Sequence, residues 1–135
     1  MTITDNTYQK IKEATGKVPT NCSCSKCQSL CKNPCIGTPA DMEKIVIAGY
    51  ADRIAPTEWA VGALYGLCAP IRMFAPRYDR NKQACTFFTN GKCELHEKGL
   101  KPTEGKLASH DTDYFNTKEE FKQKSIAWNV AQEWL

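Results

Sequence analysis

Four parts of the chain carry apolar residues at helical spacing, each preceded by a polar residue that can cap a helix. Apolar positions three or four residues apart lie on one face of a helix, and Ser, Thr, Asp or Asn just before them marks its start. This pattern predicts helices over residues 4–15, 38–49, 57–66 and 117–134.

Two of these helices begin with a capping box, in which two side chains bond each other's backbone amides. Thr38 pairs in this way with Asp41, and Thr117 pairs with Glu120. Pro39 suits the first helical position, where its missing N–H would have no partner. The apolar stripes predict a buried face made of Met42, Ile45, Val46, Tyr50, Trp59, Val61, Leu64, Tyr65, Phe121, Ala127, Trp128, Val130, Ala131 and Trp134.

A β-hairpin is predicted within residues 84–98, because Asn-Gly at 90–91 is a favoured two-residue turn between antiparallel strands. This turn places Phe88 opposite Cys93. Cys85, on the other strand, would lie near Cys93 without facing it directly.

The rest of the chain predicts little regular structure. Residues 67–74 read as an edge strand because they contain Pro70, residues 77–83 as a charged surface loop, and residues 100–110 as irregular. The resulting fold class is α+β: one small domain over residues 1–135, with several helices around a β-hairpin.

Composition limits the possible partners and the compartment. The 135 residues carry a net charge of only +3, without the basic stripe typical of nucleic-acid binding, so a nucleic-acid partner is not expected. No apolar run has the length of a signal peptide or a membrane span, which predicts a cytoplasmic protein with no membrane partner. Thiols stay reduced in the cytoplasm, so a disulfide framework is not expected.

Residues 22–35 form a cysteine-rich loop that holds five of the eight cysteines. Thiolates bind Zn²⁺, Cu⁺ and iron–sulfur clusters, and Cys24 and Cys27 have the C-x-x-C spacing that lets two sulfurs reach one ion. Residues 19–37 contain too few apolar side chains to offset their chain entropy by burial. A structural zinc ion supplies roughly 10–16 kcal/mol of apparent binding free energy, which is enough.

Other cysteines and the two histidines are further candidates. Cys85 and Cys93 are predicted to join the cysteine loop at one metal, which would link segments distant in sequence. The sequence leaves open whether His110 and His96 are metal ligands or surface residues. Cys68 lies among apolar residues and is predicted to be a buried structural thiol.

No common catalytic motif is present, so the sequence does not favour an enzyme. The chain contains no glycine-rich phosphate loop, no G-x-S-x-G elbow and no H-E-x-x-H helix. The C-x-x-C pair is not preceded by the H-x-E of zinc deaminases.

Two motifs resemble the YkgJ-type cysteine-cluster family, a zinc- or iron-chelating domain. They are the C-x-C-x-x-C that starts the loop and the C-x-F-x-x-x-G-x-C of the hairpin, and the resemblance extends over about residues 20–111. The family commonly places a further cysteine after an Arg-Pro step, whereas Lys101-Pro102 is followed by none, and His110 could fill that role. The resemblance implies as metal ligands Cys22, Cys24, Cys27, Cys31, Cys35, Cys85 and Cys93, with His110.

The sequence therefore predicts a metal-binding protein whose cysteine cluster chelates zinc, with a protein partner and a biological role that it leaves unknown. Two alternatives remain open at this stage. One is an iron–sulfur protein with a redox or accessory enzymatic role, because such clusters also use four cysteines. The other is a zinc-ribbon-like adaptor for nucleic acid or protein.

Overall fold

The computed structural model describes residues 7–17, 19, 32–107 and 115–135. Within these ranges, two α-helices precede three short antiparallel strand pairs and four α-helices follow them, which confirms the α+β class. The helices are α1 Thr7–Thr15, α2 Pro39–Ile45, α3 Glu94–Glu97, α4 Thr103–Leu107, α5 Lys118–Lys124 and α6 Ile126–Gln132. The strands are β1 Ile54–Trp59, β2 Ile71–Pro76, β3 Tyr78–Asp79, β4 Ala84–Cys85, β5 Phe88–Thr89 and β6 Lys92–Cys93.

The capping box of α2 is confirmed. The Asp41 amide donates to Thr38 Oγ1 at 3.1 Å, and the Thr38 amide donates to Asp41 Oδ2 at 2.9 Å. The α-helix ends at Ile45, earlier than predicted, and a wider helical turn follows over Val46–Tyr50. Val46 is 44% exposed, so its predicted burial is wrong.

The helix predicted over residues 57–66 is wrong in its first part, which belongs to a strand. Thr57 lies in β1, where it pairs with Met73 of β2, and Trp59 pairs with Ile71. In β2 the alternate residues Ile71, Met73 and Ala75 are buried, and this period of two is the signature of a half-buried strand. The strand begins just after Pro70, so the strand predicted over residues 67–74 is confirmed only in its second half.

A short 3-10 helix over Val61–Tyr65 follows β1, and Gly66 ends it at a φ of 99°. Val61 and Leu64 are 43% and 73% exposed, so their predicted burial is also wrong. Here a contact between distant residues outweighs the local helix propensity. Trp59 packs edge-on against Trp128, which lies near the far end of the chain.

The Asn-Gly hairpin is confirmed, with Phe88 opposite Cys93 and Thr89 opposite Lys92. Asn90 and Gly91 both have positive φ, at 54° and 77°, as the favoured two-residue turn requires.

The hairpin is shorter than predicted at both ends. Cys85 belongs to a different ribbon, in which it pairs with Tyr78 of β3, so part of the predicted 77–83 loop is a strand. On the other side the chain enters α3 directly after Cys93, and the Glu94 amide makes one last bond in the register of the hairpin, to the Phe87 carbonyl.

The segment over residues 100–110, which was predicted to be irregular, contains α4. Its first residue is held by a long-range contact, since Asp41 Oδ2 accepts hydrogen bonds from the Thr103 amide at 2.9 Å and from Thr103 Oγ1 at 2.6 Å. The carboxylate that closes the capping box of α2 therefore also accepts the hydrogen bonds of Thr103 at the start of α4.

The C-terminal helix predicted over residues 117–134 is two helices. Ser125 has extended backbone angles, and its hydroxyl accepts from the Trp128 amide at 3.2 Å, which starts α6. The capping box of α5 is only half formed, because Thr117 Oγ1 accepts from the Glu120 amide while the Glu120 carboxylate accepts from the Asn116 amide.

Three small apolar clusters form the core of the described structure. One lies around Phe87 between α2 and the ribbons, one joins α1 to α4 and α6, and one places β2 against α6. No helix in the described ranges is long and apolar enough to cross a lipid bilayer.

Candidate metal centre

Three of the predicted ligands lie in the part of the chain that the structure describes: Cys35, Cys85 and Cys93. The other predicted ligands lie outside the described residues, and they are Cys22, Cys24, Cys27, Cys31 and His110.

Cys35 precedes a short segment that three separate elements hold in place. The Ile36 amide donates to Glu104 Oε1 at 2.9 Å, and the Glu104 amide donates back to the Ile36 carbonyl at 3.1 Å. Trp134 Nε1 donates to the Gly37 carbonyl at 2.7 Å, and the Thr38 amide donates to Asp41. The C-terminal end of the cysteine-rich loop is thus fixed to α4, to the C-terminus and to α2.

The thiol of Cys35 lies against α4. A Cβ added at Gly105 would stand 2.8 Å from Cys35 Sγ and 2.9 Å from Lys101 Cε, closer than real contacts allow. Glycine at 105 therefore makes room for the sulfur beside the helix.

Cys85 and Cys93 belong to the apolar cluster around Phe87. Cys85 is 6% exposed and packs with Met42 and Leu95, and Cys93 lies partly buried against the same cluster. Arg53 lies over the Phe87 ring at 4.2 Å and pairs with Glu94, the residue that follows Cys93.

The three described thiols share one electrostatic neighbourhood around Cys35. Burial raises the pKa of the Cys35 thiol well above its usual value, and the charges of Glu104, Cys93 and Cys85 raise it further, while Lys101 lowers it. The two ribbon cysteines therefore contribute to the electrostatic environment at the end of the cysteine-rich loop.

The donor chemistry of this neighbourhood suits a soft ion such as zinc, since the donors are thiols beside one carboxyl group. Within the described ranges, no three His, Cys, Asp or Glu side chains are grouped closely enough to hold a metal ion. A complete site would require donors from elsewhere in the chain, and the remaining predicted ligands all lie outside these ranges.

Two other candidates lie on the surface. Cys68 is exposed in the connection before β2, so its predicted burial is wrong; it follows a short 3-10 helix and precedes Pro70, outside any strand. His96, which the sequence left open between a ligand and a surface residue, is exposed on α3.

Glu104 is the residue that the sequence did not single out. Its carboxyl is partly buried against the segment that follows Cys35, and burial raises its pKa while the hydrogen bond from the Ile36 amide lowers it. The sequence offered no signal for it, because its two partners lie far away along the chain.

A groove of about 480 Å³ lies elsewhere on the surface, along β1, β2 and the C-terminus. It is lined by Pro56, Thr57, Glu58, Arg72, Met73, Phe74 and Trp134. These side chains include no thiol or imidazole, so the groove is not part of the cysteine neighbourhood.

No protein-family model, no curated protein and no solved structure matches this chain. The resemblance to the YkgJ-type cysteine-cluster family therefore stays a prediction based on the two cysteine motifs.

Proposed function

We propose that this protein binds zinc through cysteine thiolates, with Cys35, Cys85 and Cys93 on one side of the site and Cys22, Cys24, Cys27 and Cys31 as the pool of further ligands. His110 is a candidate for an additional ligand. The observation that supports this most is the effect of the Cys85 and Cys93 charges on the pKa of the Cys35 thiol, which belongs to a segment distant in sequence.

Charge explains why an ion suits this neighbourhood. Thiolates placed together beside a carboxyl group repel one another, and burial makes each negative charge more costly. A divalent cation would neutralise several of these charges at once. When bound, zinc would supply a fixed tetrahedral junction between the cysteine-rich loop and the ribbon strands.

The role that follows is structural, with the zinc site supporting an interaction whose partner is unidentified. An ion shared by Cys35 and Cys93 would close a long loop, and closure of long loops restricts the unfolded chain most. A reducing compartment such as the cytoplasm would keep the thiols available. The YkgJ-type resemblance supports the same conclusion from its cysteine motifs.

Elemental analysis of protein purified without chelators tests the proposal. We expect zinc at one or two equivalents per chain. Iron with visible absorption would instead select the iron–sulfur alternative, and protein free of both metals under reducing conditions would contradict metal binding.

Single substitutions locate the site. Cys35→Ser, Cys85→Ser and Cys93→Ser should each lower the bound zinc, because each removes a soft donor. Cys68→Ser is the matched control, since Cys68 is an exposed cysteine of the same chain. Equal zinc content in all four variants would exclude the described cysteines as ligands.

A chelator tests the structural role. We expect metal removal to lower the melting temperature, since binding free energy contributes directly to folding at structural zinc sites. Identical melting curves with and without the chelator, from protein that held zinc at the start, would limit the ion to a non-structural role.

A further inference from the structure

The turn of the β5–β6 hairpin contains the only Asn-Gly step of the chain. Asn90 is exposed, and its side-chain amide makes no hydrogen bond within the described part of the chain. Asn129 is the contrasting case, because its side chain donates to three backbone carbonyls. No hydrogen bond of the described structure therefore holds the Asn90 side chain away from the nitrogen of Gly91.

An asparagine that precedes glycine modifies itself without an enzyme. The Gly91 nitrogen attacks Asn90 Cγ, so a new C–N bond forms, the bond from Cγ to the amide nitrogen breaks, and ammonia leaves with the proton of the Gly91 nitrogen. Water then opens the resulting five-membered imide at either of its carbonyl groups. The net reaction exchanges ammonia for water and yields aspartate or isoaspartate. Glycine favours the attack because it has no Cβ to crowd its nitrogen.

The closed hairpin restrains this reaction only weakly. Each of its strands pairs two residues. Its side-chain support is exposed, since Lys82 Nζ donates to the Phe88 carbonyl at 3.3 Å and to Thr89 Oγ1 at 3.4 Å. Short segments whose hydrogen bonds are exposed open at a low free energy. Each opening releases Asn90 and Gly91 from their positive φ angles and gives the side chain the freedom that the attack needs.

We propose that Asn90 is a site of spontaneous modification, at which water converts the exposed Asn-Gly turn to aspartate and isoaspartate, and that the isoaspartate form loses the hairpin register. In isoaspartate the main chain runs through the side-chain carbon, so the turn becomes one atom longer. Turn type and length fix the register of a hairpin. The aspartate form keeps the original main chain and should keep the hairpin. This modification is independent of the proposed zinc binding.

Peptide mass spectrometry of the full-length chain, kept in mildly alkaline buffer at physiological temperature, tests the site. We expect Asn90 to convert several-fold faster than Asn81, which is also exposed but is followed by Lys82. Both asparagines belong to the same molecule, so no variant has to fold for this comparison. Conversion at Asn90 no faster than at Asn81 would overturn the proposal.

Hydrogen exchange of the aged protein tests the loss of register. The Glu94 amide donates to the Phe87 carbonyl at 2.8 Å across the hairpin, and it should exchange faster in the isoaspartate form. The aspartate form is the matched control, because it carries the same charge on an unaltered main chain. Asn90→Gly suits the left-handed φ of the turn and should show no change on ageing. Equal exchange in the isoaspartate and aspartate forms would overturn the loss of register.

A substitution outside the turn tests whether opening of the hairpin controls the reaction. Lys82→Met removes the bonds to Phe88 and Thr89, so the hairpin should open more often and Asn90 should convert faster. Lys44→Met, at an exposed position on α2, is the control and should leave the rate unchanged. Equal conversion rates in the two variants would overturn the role of hairpin opening.

Discussion

Trp134 Nε1 donates a hydrogen bond of 2.7 Å to the carbonyl of Gly37. The two residues lie 97 positions apart in the chain, and the bond ties the C-terminus to the segment that follows Cys35. The Trp134 ring also packs against Phe74 of β2, so the indole is held from two sides.

Replacing Trp134 by Phe should therefore destabilise the fold. The substitution keeps an aromatic ring but leaves the carbonyl of the buried Gly37 without its donor, which costs about 1–3 kcal/mol. Urea denaturation followed by circular dichroism measures the loss, and an unchanged midpoint would show that this bond adds nothing to stability.

A methyl group at position 37 should be equally harmful for a steric reason. A Cβ there would lie 2.8 Å from Asp41 Oδ2 and 2.8 Å from Pro102 Cβ. Asp41 cannot move aside without breaking its bonds to Thr38 and Thr103, so Gly37→Ala should cost about 1–3 kcal/mol, as overpacking usually does. Thermal melting checks this, and a melting temperature equal to that of the unmodified protein would contradict the close packing.

Acid should weaken the contact between Arg53 and Glu94. The hydrogen bond from Arg53 lowers the pKa of the Glu94 carboxyl, so the ionised form is favoured in the folded protein. A lowered folded-state pKa contributes stability above the unfolded-state pKa, and this contribution is lost as the pH falls through the folded-state value. Partial exposure of the pair keeps the contribution small.

Glu94→Gln should accordingly lose less stability than the unmodified protein between neutral and acidic pH. Glu97→Gln, which alters an exposed carboxyl on the same helix, controls for the acid response shared by the whole protein. Denaturant midpoints measured across this pH range would contradict the prediction if the two variants followed the same curve.

Alkylation should distinguish the surface thiol from the core thiol. Cys68 is exposed and Cys85 is 6% exposed, so iodoacetamide should modify Cys68 first in the native protein. Peptide mass spectrometry after brief labelling reads the order, and denatured protein, in which both thiols are open, is the control. Equal labelling of both cysteines in the native state would mean that the cluster around Phe87 opens readily.

Local signals in the sequence predicted local structure well. The Thr38 capping box, the Pro39 start and the Asn-Gly hairpin depend on residues only a few positions apart, and each was confirmed. The predicted type of secondary structure was wrong where contacts between distant residues decide it. Thr57 resembles a helix cap, yet the pairing of β1 with β2 makes it a strand residue.

The candidate site shows the same division. The cysteine motifs directed attention to Cys35, Cys85 and Cys93, and the charges of Cys85 and Cys93 raise the pKa of Cys35. Glu104 could not be recognised, because its importance comes from the distant backbone of Ile36. The exposed position of Cys68 was missed because its apolar neighbours in sequence do not surround it in space.

Asp41 has a consequence for how the molecule unfolds. One oxygen, Oδ2, receives the amides of Thr38 and Thr103 and the Thr103 hydroxyl, so the first turns of α2 and α4 share an acceptor. Neither turn can fray without weakening the other, and the two segments should open as one cooperative unit in hydrogen exchange, although 62 positions separate Asp41 from Thr103.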